Sequence, residues 1–325
     1  METTYLRWYE SALKVINYVV QGSPRGKDFS EVVLAGMGGS GIVCDVIYTL
    51  LYDRSEIPVT VVKDFKPPSW VSSKTLVCGI SYSGNTLETL NVVMKSLDLG
   101  AEVCVVSSGG KLVEIAKSRN VPHLIVDGGL LPRVAFPQLL IATIKVLDIY
   151  GIKLVDGFDK LLEVLNFKDL TIDVSKKLAD FLKDSIPVII SNFRYYPLAL
   201  RFKDELNENS KMMAKVEVIP EWAHNDIVGW EKLVDRNIIK ALIIWDEDPI
   251  IEFAVDYLNE SEVGVYILKL LGNDLLSKIL YGSQIAGLTS TYLAEFRGIK
   301  ADETKSIDRY KAFLRVKRSY LETII

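Results

Sequence analysis

A chain of 325 residues, 49% hydrophobic and 25% charged, is long enough for one large or two medium domains and too apolar to stay disordered. Its net charge of −4, with both signs well mixed, lacks the basic footprint of a nucleic-acid binder, so a small anionic ligand would have to be held by a local site. Only two histidines are present, and Cys44, Cys78 and Cys104 are scattered and never spaced as CxxC. Neither a metal site nor a disulfide framework fits that inventory, and buried thiols in a reducing, cytoplasmic setting are the expectation. The first residues, Met1-Glu2-Thr3-Thr4-Tyr5, carry no basic region followed by an apolar core, so no secretory signal is expected. No apolar run approaches the roughly 20 residues that span a bilayer.

From the N-terminus onward, the apolar runs Val32–Ala35, Val59–Val62, Leu76–Ile80, Val103–Val106 and Leu124–Val126 are short and bounded by Gly, Pro, Ser or Asp. Helix-length segments lie between several of them, at Ile42–Tyr52, Thr86–Leu97 and Lys111–Arg119. Nearly all-apolar strands separated by helices predict a parallel sheet covered on both faces. The fold class is therefore α/β, doubly wound and flavodoxin-like, with ligands at the carboxyl ends of the strands. Ala135–Tyr150 is expected to close this unit as a helix, and Phe158–Lys183 to be a helical connection.

A second α/β pattern follows. Its predicted strands are Pro187–Ser191, Val216–Ile219, Ile238–Ile244 and Gly264–Leu268, with helices at Tyr196–Asn207, Ile251–Leu258 and Asp274–Phe296. A final helix is expected from about Asp302, ending in the basic run Lys311–Arg318. The halves look like two copies of one αβα sandwich, divided as 1–155 and 156–325. Strand-loop-helix at Val32–Tyr52 corresponds to strand-loop-helix at Pro187–Asn207, but only the first has a glycine loop.

That loop, Gly36-Met37-Gly38-Gly39-Ser40-Gly41, follows a strand and opens a helix. Glycines there permit positive φ and close backbone approach, and the helix start favours an anion. It half matches a dinucleotide fingerprint, yet neither Asp53 nor Glu56 ends the next strand to bind a ribose, so no nicotinamide cofactor is expected. A second loop, Ser81-Tyr82-Ser83-Gly84-Asn85-Thr86, is more specific. Ser81, Ser83 and Thr86 put three hydroxyls around a glycine at a helix start, enough to surround a phosphate without a lysine or arginine. A plain helix cap would use one hydroxyl, not three.

The Gly-Gly-Ser of the first loop (Gly38, Gly39, Ser40) together with Ser81-Tyr82-Ser83-Gly84-Asn85-Thr86-Leu87-Glu88-Thr89 resembles the sugar isomerase (SIS) domain that binds phosphosugars. Across nearly all its length the chain resembles the bifunctional phosphoglucose/phosphomannose isomerases, found mainly in archaea. The resemblance implies two SIS-type subdomains and aldose–ketose isomerisation of glucose 6-phosphate and mannose 6-phosphate to fructose 6-phosphate through an enediolate. It implies no cofactor and no metal.

That chemistry needs one base able to reach C1 and C2 from one face. Lys203-Asp204-Glu205-Leu206-Asn207-Glu208-Asn209 offers three acids, and the family's Asn-Glu-Asn stretch falls on Glu208, with Glu205 a possible neighbour. In Pro220-Glu221-Trp222-Ala223-His224-Asn225 the loop-like, polar setting suggests an accessible imidazole. The resemblance makes His224 the ring opener, donated by the partner subunit of a homodimer. His123 has no such surroundings and is read as an edge or core residue. Pro132-Arg133 matches the family's Pro-Arg, so Arg133 is expected to steady the enediolate. In Ala301–Lys311 the resemblance gives Lys311 a share in ring opening and Thr304 a part in accepting the C2 epimer, with Lys305 a rival lysine. Family members often have Asp-Pro-Thr where this chain has Asp302-Glu303-Thr304, a departure from the family pattern at the start of the helix.

The alternative to an isomerase is a non-catalytic phosphosugar sensor built on the same cradle. Such regulators carry a DNA-binding helix-turn-helix, and no basic recognition helix precedes Glu31. An aminotransferase would need a glutaminase domain with an N-terminal cysteine, which is also missing from this sequence.

Overall fold

The structure is a computed structural model and describes residues 1–233 and 235–317. After α1 (Glu2–Leu6) and α2 (Trp8–Ile16), an alternating series runs β1 (Glu31–Ala35), α3 (Gly38–Tyr52), β2 (Val59–Val62), β3 (Thr75–Ile80), α4 (Leu87–Asp98), β4 (Glu102–Ser107), α5 (Gly110–Ser118), β5 (His123–Ile125) and α6 (Phe136–Asp148). The five strands form one all-parallel sheet in the order β2-β1-β3-β4-β5. Every residue of β3 and β4 is buried, as continuous Val, Ile and Leu runs in a doubly covered sheet require. One side of its core is Val33, Val77, Val93, Val103, Val105 and Leu112 with their neighbours.

The second series comprises α7 (Asp159–Leu162), α8 (Lys168–Leu182), β6 (Ile186–Asn192), α9 (Tyr196–Glu205), β7 (Lys215–Ile219), β8 (Ile239–Ile244), α10 (Pro249–Glu260), β9 (Gly264–Leu268) and α11 (Leu275–Phe296). Its four parallel strands are ordered β7-β6-β8-β9. The last helix, α12, covers Lys305–Val316. It starts three residues later than expected from the sequence, with Thr304 at its N-cap. The end of the basic run, Arg318, lies outside the described residues.

The chain divides into two compact units, and its ends are exchanged between them. The five-stranded unit is Lys14–Leu154 plus the chain from Asp302, whereas the four-stranded unit is Val155–Ala301 plus Met1–Leu13. The sequence reading placed α12 with the second half and the first residues with the first; both go the other way. The reason is packing that local sequence does not announce. Tyr5 and Trp8 are 0% and 1% exposed in the four-stranded unit. There Gly287 of α11 leaves the space that the Tyr5 ring fills, since a Cβ at Gly287 would fall 2.2 Å from Tyr5 Cε1. In the five-stranded unit, Tyr310 of α12 donates its hydroxyl to Glu88 in the first turn of α4, at 3.2 Å.

Three details bear on the sites. α9 does not run as a plain helix to Asn207; it widens into a π turn over Leu206–Ser210 and ends at Lys211 in the left-handed conformation. Glu221–His224 and Asp226–Trp230 are two short 3-10 turns where a loop was expected. His123 opens the edge strand β5, is buried, and has its Nδ1 2.8 Å from the Val121 carbonyl. Among the described residues, no helix is long and apolar enough to cross a membrane, and no group of three or more His, Cys, Asp or Glu is arranged to hold a metal.

Candidate active site

In the five-stranded unit both singled-out loops stand at the carboxyl ends of neighbouring strands, β1 and β3. Gly38 takes φ +53°, a conformation that favours glycine, and open space lies where its side chain would be. Gly39 is needed for a different reason. A Cβ there would fall 3.1 Å from both Arg133 Cα and the Pro132 carbonyl oxygen, so a side chain would push the Pro132-Arg133 segment back by a few tenths of an ångström.

The loops are tied together by backbone and hydroxyls. The Tyr82 N–H donates to Ser40 Oγ at 3.1 Å, and Ser81 Oγ donates to Thr86 Oγ1 at 3.0 Å. Thr86 is the N-cap of α4 in extended conformation, but its hydroxyl makes no cap bond, so the first-turn amides of α4 are not occupied by the residue that usually fills that role. Ser83 is exposed and accepts from the Asn85 N–H at 3.3 Å. Gly84 has φ +63°, and a Cβ there would collide with the Gly109 carbonyl at 1.8 Å. Gly38, Gly39, Ser40, Ser81, Ser83, Thr86 and Arg133 thus share one region, with aligned helix N-termini and hydroxyls suited to an anion. Arg133 itself is only 4% exposed.

Tyr82, quoted in the motif but given no role from sequence, is the strut of this region. Its phenol donates to the Asp127 carbonyl at 2.9 Å and accepts the Leu130 N–H at 2.9 Å, holding the segment that leads to Arg133. Burial pushes the phenol pKa up, so it remains a donor at any working pH. An aromatic between two serines was the available signal, since a buried tyrosine must find partners for its hydroxyl. Thr304 is half-buried at the start of α12, and Lys311 is exposed on that helix. The bond from Tyr310 to Glu88 places α12 beside the first turn of α4, next to the hydroxyl loop. Lys305 is exposed and pairs with Glu303 at 3.4 Å.

Glu208 and His224 belong to the four-stranded unit. Glu208 is half-buried on the π turn at the end of α9. Lys211 Nζ donates to the Glu208 carbonyl at 2.8 Å and to the Lys300 carbonyl at 2.9 Å, placing a cation on the negative end of the helix dipole. Glu205 is not a surface neighbour of Glu208: it is 1% exposed and paired with buried Arg201. His224 is exposed at the end of a 3-10 turn that follows β7. That turn is pegged by Trp222, which is fully buried and packs edge-on against Trp230 and Tyr257. Lys215 Nζ reaches Glu217 at 2.5 Å and Asp226 at 2.6 Å, fixing the next turn to β7.

The connectivity separates these two residues. α9 leaves the carboxyl end of β6 and returns alongside the sheet to the start of β7, so Glu208 lies at the amino edge. His224 follows the far end of β7, at the carboxyl edge. At about 3.3 Å per residue the strand between them alone accounts for more than ~10 Å.

Residues 172–314 match the model of the bacterial phospho-glucose isomerase C-terminal SIS domain. The chain is 34% identical over 331 aligned positions to a bifunctional phosphoglucose/phosphomannose isomerase of Aeropyrum pernix, covering 96% of this chain and 97% of that one. A protein of the same description from Aquifex aeolicus is 33% identical, covering 88% and 91%. A D-glucosamine-6-phosphate 4-epimerase of Sulfolobus acidocaldarius is 32% identical, covering 96% and 97%. Among solved structures, the C-terminal domain of glucosamine-fructose-6-phosphate aminotransferase from Francisella tularensis superposes with a TM-score of 0.71 at 17% identity, covering 92% and 97%, a likeness of fold.

Proposed function

Because the chain belongs to the family of bifunctional phosphoglucose/phosphomannose isomerases, and is an aldose–ketose isomerase of glucose 6-phosphate and mannose 6-phosphate, we propose how its own residues divide the work. The substrate phosphate sits against the first turn of α4, held by Ser81, Ser83 and Thr86, with Ser40 and the amides of Gly38 and Gly39 beside it. The tie between Ser81 and Thr86, at the uncapped start of α4, is the observation that carries this reading. A dianion there is favoured by the helix dipole and by hydroxyl donors.

His224 and Lys311 open the pyranose, the imidazole protonating the ring oxygen. The Glu208 carboxylate then removes the proton from C2 of the aldose, leaving an enediolate, and returns it to C1 while the O2 proton passes to O1, giving the ketose. Arg133 offsets the negative charge that develops on the enediolate oxygens, a contribution that grows in a dry site. Thr304 takes the part of accepting the C2 epimer. The placement of Glu208 and His224 at opposite edges of one sheet supports a homodimer in which the partner subunit's copy of this histidine completes each site. Three free, buried cysteines support a reducing, cytoplasmic setting.

The test is turnover of glucose 6-phosphate, mannose 6-phosphate and glucosamine 6-phosphate in chelator-treated buffer, wild type against Glu208→Gln. Conversion of the first two to fructose 6-phosphate, falling about 10³-fold or more in the variant, is the expected result. Undiminished turnover by Glu208→Gln would remove it as the base. Conversion of glucosamine 6-phosphate alone would move the chain to the epimerase side of its relatives.

A further inference from the structure

Arg201 and Glu205, one turn apart on α9, form an ion pair in which both side chains are only 1% exposed. Burying two charges costs several kcal/mol per ion unless the remaining lone pairs and protons find partners, and apolar residues of the same volume often do as well or better. Partners are supplied for the Glu205 carboxylate. Glu205 Oε2 accepts from Tyr5 Oη at 2.7 Å and from Asn209 Nδ2 at 2.8 Å. The Asn209 amide also donates to Ser290 Oγ of α11 at 2.9 Å and lies 3.1 Å from Tyr5 Oη. The Arg201 guanidinium stands 5.7 Å from the centroid of the Trp8 ring. Burial and the Glu205 charge push the Tyr5 phenol well up, so it stays protonated and keeps donating. All of these groups lie within the four-stranded unit.

Asn209 is the residue next to Glu208, and both lie on the π turn. A turn of this width gives up regular helical hydrogen bonding and is common at functional positions. Its backbone is gripped from two sides. Inside, the Asn209 side chain is tied to Glu205 and Ser290; outside, Lys211 Nζ holds the Glu208 carbonyl and, at 3.3 Å, that of Asn209. Through Asn209 the buried pair is therefore linked to the residue that must point at C1 and C2.

Resting on the assignment of Glu208 as the base, we propose that Arg201, Glu205 and Asn209 are a positioning set: the buried Arg201–Glu205 pair clamps the Asn209 amide, and the clamped amide fixes the direction in which Glu208 leaves the chain. None of the three touches substrate. Their effect is on the geometry of proton transfer, where a displacement on the order of 1 Å costs about 10²-fold. Substrate held chiefly by its phosphate should bind as before.

The experiment compares Asn209→Leu in two backgrounds, wild type and Glu208→Gln, below the melting temperature of every variant. In the wild-type background kcat should fall at least about tenfold with KM within about twofold. In the Glu208→Gln background the same change should cost no further rate, because no base is left to aim. A folded Asn209→Leu with wild-type kcat, or an equal rate loss in both backgrounds, overturns the proposal. Should Asn209→Leu not fold, Ser290→Ala removes one partner of the same amide. It should lower kcat several-fold with the same non-additivity, and an additive or null effect counts against the clamp. Wild-type turnover by Glu208→Gln itself sinks the base assignment, and the positioning set with it. An inactive Glu208→Gln beside a fully active Asn209→Leu sinks the positioning set alone.

Discussion

Glu208 and His224 stand at opposite edges of one four-stranded parallel sheet, separated by the length of β7. An arrangement in which each site takes one residue from each subunit makes a prediction that a self-sufficient subunit does not. Glu208→Gln and His224→Ala, each inactive alone, should restore about a quarter of wild-type activity when equal amounts are refolded together. Half of the random dimers are then mixed, and one of the two sites in each is intact. Activity that stays at the level of the separate variants would place both residues in one chain's site, or the histidine outside the chemistry.

The hydroxyl loop has no room for a side chain at its turn. Gly84→Ala combines a positive φ with a Cβ 1.8 Å from the Gly109 carbonyl, and should cost more than about 3 kcal/mol in urea unfolding. Gly128→Ala is the matched control, since nothing lies within 4 Å of its added methyl, and it should stay within about 0.5 kcal/mol of wild type. Equal losses at the two positions would show that the loop relaxes around the added carbon.

Tyr82→Phe keeps the ring and removes the hydroxyl that joins Asp127 and Leu130. Loss of these two bonds should destabilise the protein by about 1–3 kcal/mol. Because this segment runs on to Arg133, kcat should fall several-fold more than KM rises. A variant less stable but catalytically normal would confine Tyr82 to a structural role.

Glu217, on β7, carries a pH signature. Burial raises its pKa above the ordinary carboxylate range, and Lys215 only partly counters this. An acid whose folded pKa is raised keeps its proton after the unfolded chain has lost one, so stability falls as pH rises from the unfolded value, about 4.3, through the folded value. Glu217→Gln removes that slope. The melting temperature of the variant relative to wild type should climb as pH rises from about 4 to 6, whereas parallel curves would show that Lys215 compensates fully.

Most of the fold was legible because its central strands are buried along most of their length. Runs such as Leu76–Ile80 and Val103–Val106 announce themselves as apolar, and the helices between them have room for only one register. The hydroxyl loop was legible because three side chains of one chemistry crowd a glycine. What escaped depends on distant partners. The wide turn at Leu206–Ser210 reads locally as ordinary helix, since its cause is an amide reaching Tyr5 and Ser290. Glu205 looked like a neighbour of Glu208 by helical spacing alone, and only packing against the N-terminal segment reveals that it is buried. The turns at Glu221–Trp230 resembled a loop because their anchor is two tryptophans separated in sequence, with no repeating period to betray them.

The exchanged chain ends bear on the order in which the molecule can be made. Tyr5 and Trp8 are synthesised long before α11, yet the groove that receives Tyr5 includes Gly287, so both residues wait until that helix has been made. α12, synthesised at the other end, belongs to the unit that begins at Lys14. The four-stranded unit is complete only once α11 has been made and the five-stranded unit only once α12 has, and a nascent chain halted at Leu154 would carry Trp8 with no partner and an α4 start without Tyr310 against it. Long-range closures of this kind slow folding, and here they make each folded unit depend on residues far apart in the sequence rather than on one continuous half.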